Sequence, residues 1–158
     1  MDMNIIDYLD KDSIIIGLKQ KSKKKILAAA LAHLISKKKV NKASEKEILK
    51  SLIQREEMGS TAIGGYIALP HARVNTIDDI VICLVISKEG VDFDSLDQEP
   101  VHIIALLLSN QKEAGLHLKM LAFLARMLRD KYFVQQLKNT TTTDEVLALI
   151  SKQQQMVR

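Results

Sequence analysis

The sequence predicts an α/β domain in which helices pack on a central mixed β-sheet. Three observations predict it. Residues 80–86 and 101–108 are nearly continuous apolar runs, the pattern of interior strands covered on both faces. The segments on either side carry apolar residues at three- and four-residue steps, the period of helices with one buried face. No repeat, linker or low-complexity stretch divides the 158 residues, a length that one core can serve without a metal or disulfide staple. Strand order does not follow from these patterns.

Taken in order, residues 5–9 form a short apolar segment that packs onto the body. Residues 13–18, with three consecutive isoleucines, read as a short buried strand. Ser22 is placed to cap a helix running to about Lys37, its stripe made by Ile26, Leu27, Ala30, Leu31, Leu34 and Ile35. His33 lies at the margin of that stripe. After a connector at 40–43, Ser44 and Glu47 have the spacing of a capping box, and Ile48, Leu49, Leu52 and Ile53 give the second helix its apolar face. Arg55 falls at the end of that helix, just before the stretch 60–73. A polar connection at 74–79 leads to the first apolar strand, and residues 88–90 read as a turn. Residues 91–96 are amphipathic, with room for a short edge strand, and 98–100 turn the chain into the second apolar strand, where His102 is given no role. A polar loop at 109–114 precedes a helix over 116–128 that is predicted to face inward through Leu118, Leu121, Ala125 and Leu128. His117 falls in its first turn, where free helix amides disfavour a charged ring. Another helix covers 130–137. Thr142 and Glu145 cap the last one, and the tail from Ser151 is expected to fray.

Composition excludes several classes of function. Aromatics are 4% of the chain with no Trp, so stacking surfaces for bases or sugars are nearly absent. Cys83 is the lone cysteine, set in an apolar run, and reads as a buried small hydrophobe in a reducing compartment. The acidic N-terminus lacks a basic, then apolar, signal pattern, and no apolar run is long enough to span a bilayer, so a cytoplasmic location without membrane insertion is expected. Net charge is +4, with lysines clustered at 19–25 and 37–39 around the first helix. Without interleaved aromatics, zinc spacing or a recognition helix, this charge reads as a solvated surface rather than a specific nucleic-acid site. An acidic protein partner is a second use of the same charge.

The stretch 60–73, STAIGGYIALPHAR, carries the chemistry. Gly64 and Gly65 permit backbone conformations closed to other residues. Pro70 stiffens the approach to His71, which leaves either a structural histidine in a tight turn or a reactive one with one ring nitrogen oriented and the other exposed. The glycines lack the Walker lysine and the dinucleotide fingerprint, no zinc or calcium spacing occurs, and Ser60 has no nucleophile-elbow flanks. No cofactor or metal is implied. A neutral imidazole attacking a phosphoryl group remains, with Arg55, Arg73, the amides around Gly64–Gly65 and the imidazole of His117 as groups available to the phosphoryl oxygens.

Arg55–Glu56, Ser60–Thr61, Ile63–Gly64 and Ile67-Ala68-Leu69-Pro70-His71, followed by His117–Leu118 at the head of a leucine-rich helix, resemble the fructose–mannitol type of enzyme IIA (EIIA type-2) of the bacterial phosphoenolpyruvate-dependent phosphotransferase system. The resemblance spans residues 1–158 as one EIIA domain and implies the mannitol/fructose-type enzyme IIA fold. It implies that His71 accepts a phosphoryl group from the phosphohistidine of an HPr-type carrier. It also implies that His117 is the second active-site histidine and that Arg55 is the arginine beside the site. Length and layout are similar to the nitrogen-regulatory IIA proteins, in which phosphorylation controls binding to regulatory targets such as kinases or potassium transporters. The alternatives are a sugar-uptake IIA that passes the phosphoryl group to an enzyme IIB, and a non-catalytic protein-binding module. The sequence departs from the family in three places: Ala62 stands where glycine is common, Gly65–Tyr66 replace a polar residue followed by glycine, and the proline often seen after the second strand is replaced near Ser109–Asn110. Tyr66 is therefore expected either to line the site or to pack beneath it.

Overall fold

The computed structural model of the chain describes residues 3–157. After 3₁₀ turns at Ile5–Asp7 and Lys11–Ser13, the elements are β1 (Ile14–Ile16), α1 (Lys23–Ser36), α2 (Glu45–Glu57), β2 (Ile67–Ala68), β3 (His71–Arg73), β4 (Val81–Val91), β5 (Val101–Ser109), α3 (Ala114–Leu128), α4 (Lys131–Lys138) and α5 (Thr143–Val157). The sheet order is β1-β4-β5-β2, with β3 also on β5. β4 and β5 are antiparallel; β1 runs parallel to β4, and β2 and β3 run parallel to β5. The sheet is mixed and flanked by helices, as the two apolar runs predict.

Alternation along the central strands builds two cores. Ile82, Leu84, Ile86, Ile103, Ala105 and Leu107 face α3, α4 and α5. Cys83, Val85, Ile104, Leu106 and Leu108 face α1 and α2. Both faces are covered, so both parities must be apolar, and every residue of β5 is buried, His102 and Ser109 included. Cys83 is fully buried, which pushes its thiol up to about 12 and leaves it inert as a nucleophile.

The stretch expected to be a rigid loop is instead an interrupted edge strand. Ile67 pairs with Ile103 and His71 with Leu107 in one register, and Pro70 sits between the two short strands. Proline has no N–H to give a ladder, which is tolerable at an edge. Its carbonyl still accepts from the Leu107 amide at 2.9 Å. The approach turn has three successive positive φ values, +122° at Gly64, +72° at Gly65 and +69° at Tyr66. The φ at Gly64 favours glycine, and a Cβ there would lie 3.1 Å from the Asp97 carboxylate, which would have to shift by a few tenths of an ångström.

Several local expectations are corrected. Ser44 makes no capping bond, because it ends a 3₁₀ turn started by Asn41 and its backbone is already helical. Residues 88–90 do not turn the chain: β4 continues through an irregularity between Ile86 and Val91, where a Cβ on Gly90 would strike Pro100 at 2.8 Å. In the segment 91–96, Asp92 makes an isolated bridge to Ser22 rather than part of a strand. In α3 the buried face is His117, Met120, Phe123, Leu124, Met127 and Leu128, while Leu118 is 65% exposed. Apolar residues surround most of that helix, so its period leaves the phase open. The tail does not fray. α5 runs to Val157 with Gln153 and Gln154 buried. Ser22 and Thr142 cap as expected, and Asp130 caps α4 through the Tyr132 and Phe133 amides.

Gln154 ties the two ends of the chain together. Its Oε1 accepts from the Ile5 amide at 2.9 Å, and its Nε2 donates to the Asn4 side chain at 2.8 Å. Gln154→Ala leaves a buried amide without its partner. The expected loss is about 1–3 kcal/mol, read as a lower urea midpoint. An unchanged midpoint would mean that this glutamine does not secure the N-terminal turn.

Candidate functional site

His71, His117 and Arg55, the site residues expected from sequence, line one open cleft of about 470 Å³, together with Arg73. Each arrives from a different element. Arg55 sits in the last turn of α2, where its Nη1 donates to the Gly59 carbonyl at 2.7 Å. That bond holds the guanidinium base while the rest of its donor fork stays available. His71 and Arg73 lie two apart on β3 and so share one face of the edge strand. Ala72 between them points into the α1–α2 core. His71 therefore meets α3, and the rings of His71 and His117 stand 5.4 Å apart, tilted by 58°.

The backbone dictates the protonation pattern of His71. Its Nδ1 lies 2.8 Å from the Leu69 carbonyl oxygen. A carbonyl only accepts, so Nδ1 carries the proton and Nε2 keeps its lone pair. The parallel ladder uses the Pro70 carbonyl, and alternation leaves the Leu69 carbonyl free for the ring. Burial lowers the basicity of His71. The bond to Leu69 and the charge of Glu56 oppose that, and the positive charges of Arg55 and Arg73 add to it. His117 is pushed down to about 4 by burial, by His71 and by Arg73. Both rings are neutral at neutral pH. His117 Nδ1 is 2.6 Å from Ser109 Oγ, at the end of β5.

Beneath the cleft, Glu56 is buried and fully engaged. It accepts from the Thr61 hydroxyl, from the Thr61 amide at 3.1 Å, and from Lys23 Nζ at 3.0 Å. Lys23 in turn lies 3.4 Å from Asp94 and over the Phe93 ring at 5.2 Å. This cluster joins the start of α1, the end of α2 and the approach loop, and it partners Glu56, whose charge acts on His71. That charge raises the basicity of His71 against the lowering by Arg55 and Arg73.

Other expected contributors lie elsewhere. The Gly65 amide is bound to Asp97 Oδ2 at 3.1 Å, so the glycine turn is committed to the loop 92–100 rather than to a phosphoryl site. Tyr66 neither lines the site nor packs beneath it. Its ring faces that of His102 at 5.9 Å, several residues up β5 from His71. His102 donates Nδ1–H to the Ser87 carbonyl, and Ala62 is a core residue. His33 is half-buried against the Asp12 carbonyl, the boundary residue its stripe predicts. Ser109 was missed from sequence, where it was assigned to a polar loop. Its signal was modest: a small polar residue closing an unbroken apolar strand, eight positions before a helical histidine. Among the described residues, no group of three His, Cys, Asp or Glu could hold a metal ion, and no helix is long and apolar enough to cross a membrane.

The family model described as "Phosphoenolpyruvate-dependent sugar phosphotransferase system, EIIA 2" matches residues 7–153. The chain is 31% identical over 152 residues to a "Nitrogen regulatory protein" of Bradyrhizobium diazoefficiens, covering 94% of this chain and 95% of that protein. It is 28% identical to the "PTS system fructose-specific EIIABC component" of Bacillus subtilis, covering 95% of this chain and 23% of that protein. The fold superposes on the crystal structure of "Nitrogen Regulatory Protein IIA-Ntr" from Neisseria meningitidis with a TM-score of 0.83 at 28% identity, covering 92% and 98% of the two chains.

The depressed basicity of His117 has a consequence for stability. Its unfolded value is near 6.5 and its folded value is about 4, so between these pH values the unfolded chain binds more protons. Stability is complete above about pH 6.5 and declines as pH falls toward 4. His117→Gln should flatten that part of the profile in urea denaturation between pH 7 and 4. Parallel profiles for the two proteins would show that the ring is not held neutral.

Proposed function

The chain belongs to the EIIA 2 family of the phosphoenolpyruvate-dependent sugar phosphotransferase system, and from that premise we propose that His71 is its phosphoryl-accepting residue. The observation that carries this is the bond from His71 Nδ1 to the Leu69 carbonyl, which leaves Nε2 as a bare nucleophile in a cleft with Arg55 and Arg73. The donor is the phosphohistidine of an HPr-type carrier. Nε2 of His71 forms the new N–P bond as the carrier's N–P bond breaks. The electron pair of the broken bond stays on the carrier's imidazole, and the Nδ1 proton stays on His71 against Leu69. No proton has to cross between the proteins, so catalysis reduces to alignment and to charge around the equatorial oxygens. Arg55 and Arg73 supply that charge, and His117 supplies a neutral ring beside the reacting nitrogen.

The rim of the cleft fits a protein rather than a small molecule. Met58 and Leu118 are 84% and 65% exposed beside the arginines, an adaptable apolar margin around a positive centre. A phosphoryl group added there reverses the local charge and so changes which partners dock. The reading favoured is a nitrogen-regulatory IIA protein whose phosphorylation state governs binding to regulatory targets such as kinases or potassium transporters. Its support is the match to a nitrogen regulatory protein across nearly the full length of both chains. A second reading, transfer from His71 to an enzyme IIB of a sugar-uptake system, is supported by the similarity to the fructose-specific component.

Incubation with phosphoenolpyruvate, enzyme I and an HPr-type carrier should add one phosphoryl mass that is lost in mild acid. His71→Ala should take up none, and no uptake by the unmodified protein would refute the assignment. His117→Ala should bind the carrier with little change yet transfer on the order of 10²-fold more slowly, the cost of losing one oriented donor. Equal transfer rates would remove His117 from the mechanism.

A further inference from the structure

We propose that Ser109 is a positioning residue that fixes the tautomer of His117. Its hydroxyl donates to Nδ1, so that Nε2–H of His117 is presented as a hydrogen-bond donor to the phosphoryl oxygens at His71. The inference rests on the phosphoryl-transfer reading for its purpose but not for its geometry.

The argument begins with an accounting of protons. Ser109 is fully buried, and its Oγ lies 2.6 Å from His117 Nδ1. Among the described residues the hydroxyl has no other hydrogen-bond partner. Two arrangements are available. If Nδ1–H donated to Oγ, the hydroxyl's own proton would be buried with nothing to receive it, a costly arrangement. If the hydroxyl donates to Nδ1, both groups are satisfied by one bond. A neutral ring with an accepting Nδ1 carries its proton on Nε2. The main chain supports the same pairing: the His117 amide donates to the Glu113 carbonyl at 2.9 Å, which fixes the first turn of α3. Ser109 is opposite Arg73 in the ladder between β3 and β5, so its place is set by the pairing that sets His71.

The two rings then carry opposite tautomers for opposite tasks. A backbone carbonyl takes the Nδ1 proton of His71 and bares its Nε2. A serine hydroxyl fills the Nδ1 lone pair of His117 and puts a proton on its Nε2. With ring centroids 5.4 Å apart, one presents a lone pair and the other an N–H in the same cleft. An N–H is useful here because charge on the equatorial oxygens has to be met by donors that need not reorganise. Were His117 to show a lone pair as well, it would repel those oxygens.

Long-range ¹H–¹⁵N NMR of the unphosphorylated, ¹⁵N-labelled protein reads the tautomers directly. The expected pattern is a pyridine-like Nδ1 and a pyrrole-like Nε2 for His117, with the reverse for His71. A pyrrole-like Nδ1 on His117 would overturn the proposal, whatever the protein does with a phosphoryl donor. In Ser109→Ala the His117 pattern should move toward a mixture, and the rate of phosphoryl uptake from the HPr-type carrier should fall about tenfold, with carrier affinity unchanged. Ser109→Thr, which keeps the hydroxyl, should restore the wild-type ring pattern. An unchanged His117 signature in Ser109→Ala would remove Ser109 from the role. If neither the wild type nor the variant accepts a phosphoryl group, the functional reading fails, while the ring signatures still decide the tautomer.

Discussion

The parallel pairing of β3 with β5 is the constraint on which the site depends. It aligns His71 with Leu107 and Arg73 with Ser109. A slip of one residue would turn His71 into the α1–α2 core and bring Ala72 to the cleft, because side chains alternate across a strand. Such a slip is opposed from both sides. Ala72 fits a space in a packed core, and Leu69 and Leu107 fill the opposite one. The same register leaves the Leu69 carbonyl off the ladder, where it can take the ring proton of His71. Packing and the choice of which His71 nitrogen keeps its lone pair are thus consequences of one alignment.

Three layers converge on that alignment. α2 delivers Arg55 from one side of the sheet, α3 delivers His117 from the other, and the edge strand lies between them. The buried Glu56 joins the helical layer to the approach loop through Lys23 and Thr61. Ions removed from water need several partners to offset their desolvation, and here the carboxylate has three. The arrangement also keeps the negative charge near His71 partnered, while Arg55 and Arg73 give the cleft its positive field. Low basicity at both histidines follows from burial and from that positive field, and it is what keeps an imidazole lone pair available at neutral pH.

The departures in the approach turn bear on architecture rather than chemistry. Tyr66 adopts a left-handed backbone that glycine would take more cheaply, and its carbonyl accepts from both His102 and Ile103. Its ring packs on His102, away from the cleft. Ala62 is an ordinary core residue. Neither change reaches His71, which is why an altered loop and an intact cleft coexist in this chain.

Much of the molecule was determined by the sequence alone. The strands 81–91 and 101–109 are legible because a strand covered on both faces must be apolar at both parities. The caps at Ser22 and Thr142 are legible because a capping bond spans only a few residues. The pairing of a proline–histidine stretch with a downstream histidine at the head of a helix singled out His71, His117 and Arg55 by resemblance, and the fold brings these three to one cleft. Only the tertiary structure decided what depends on distant residues. The phase of α3 is open in a helix that is apolar nearly all round, until a sheet occupies one side of it. The polar tail 151–157 reads as frayed until Gln154 finds Ile5 across the whole chain. Ser109 is an unremarkable polar residue until folding seals it against a ring nitrogen. Local periodicity and short-range capping are written in neighbouring residues, whereas proton placement at a site is set by whichever donors and acceptors the fold brings together.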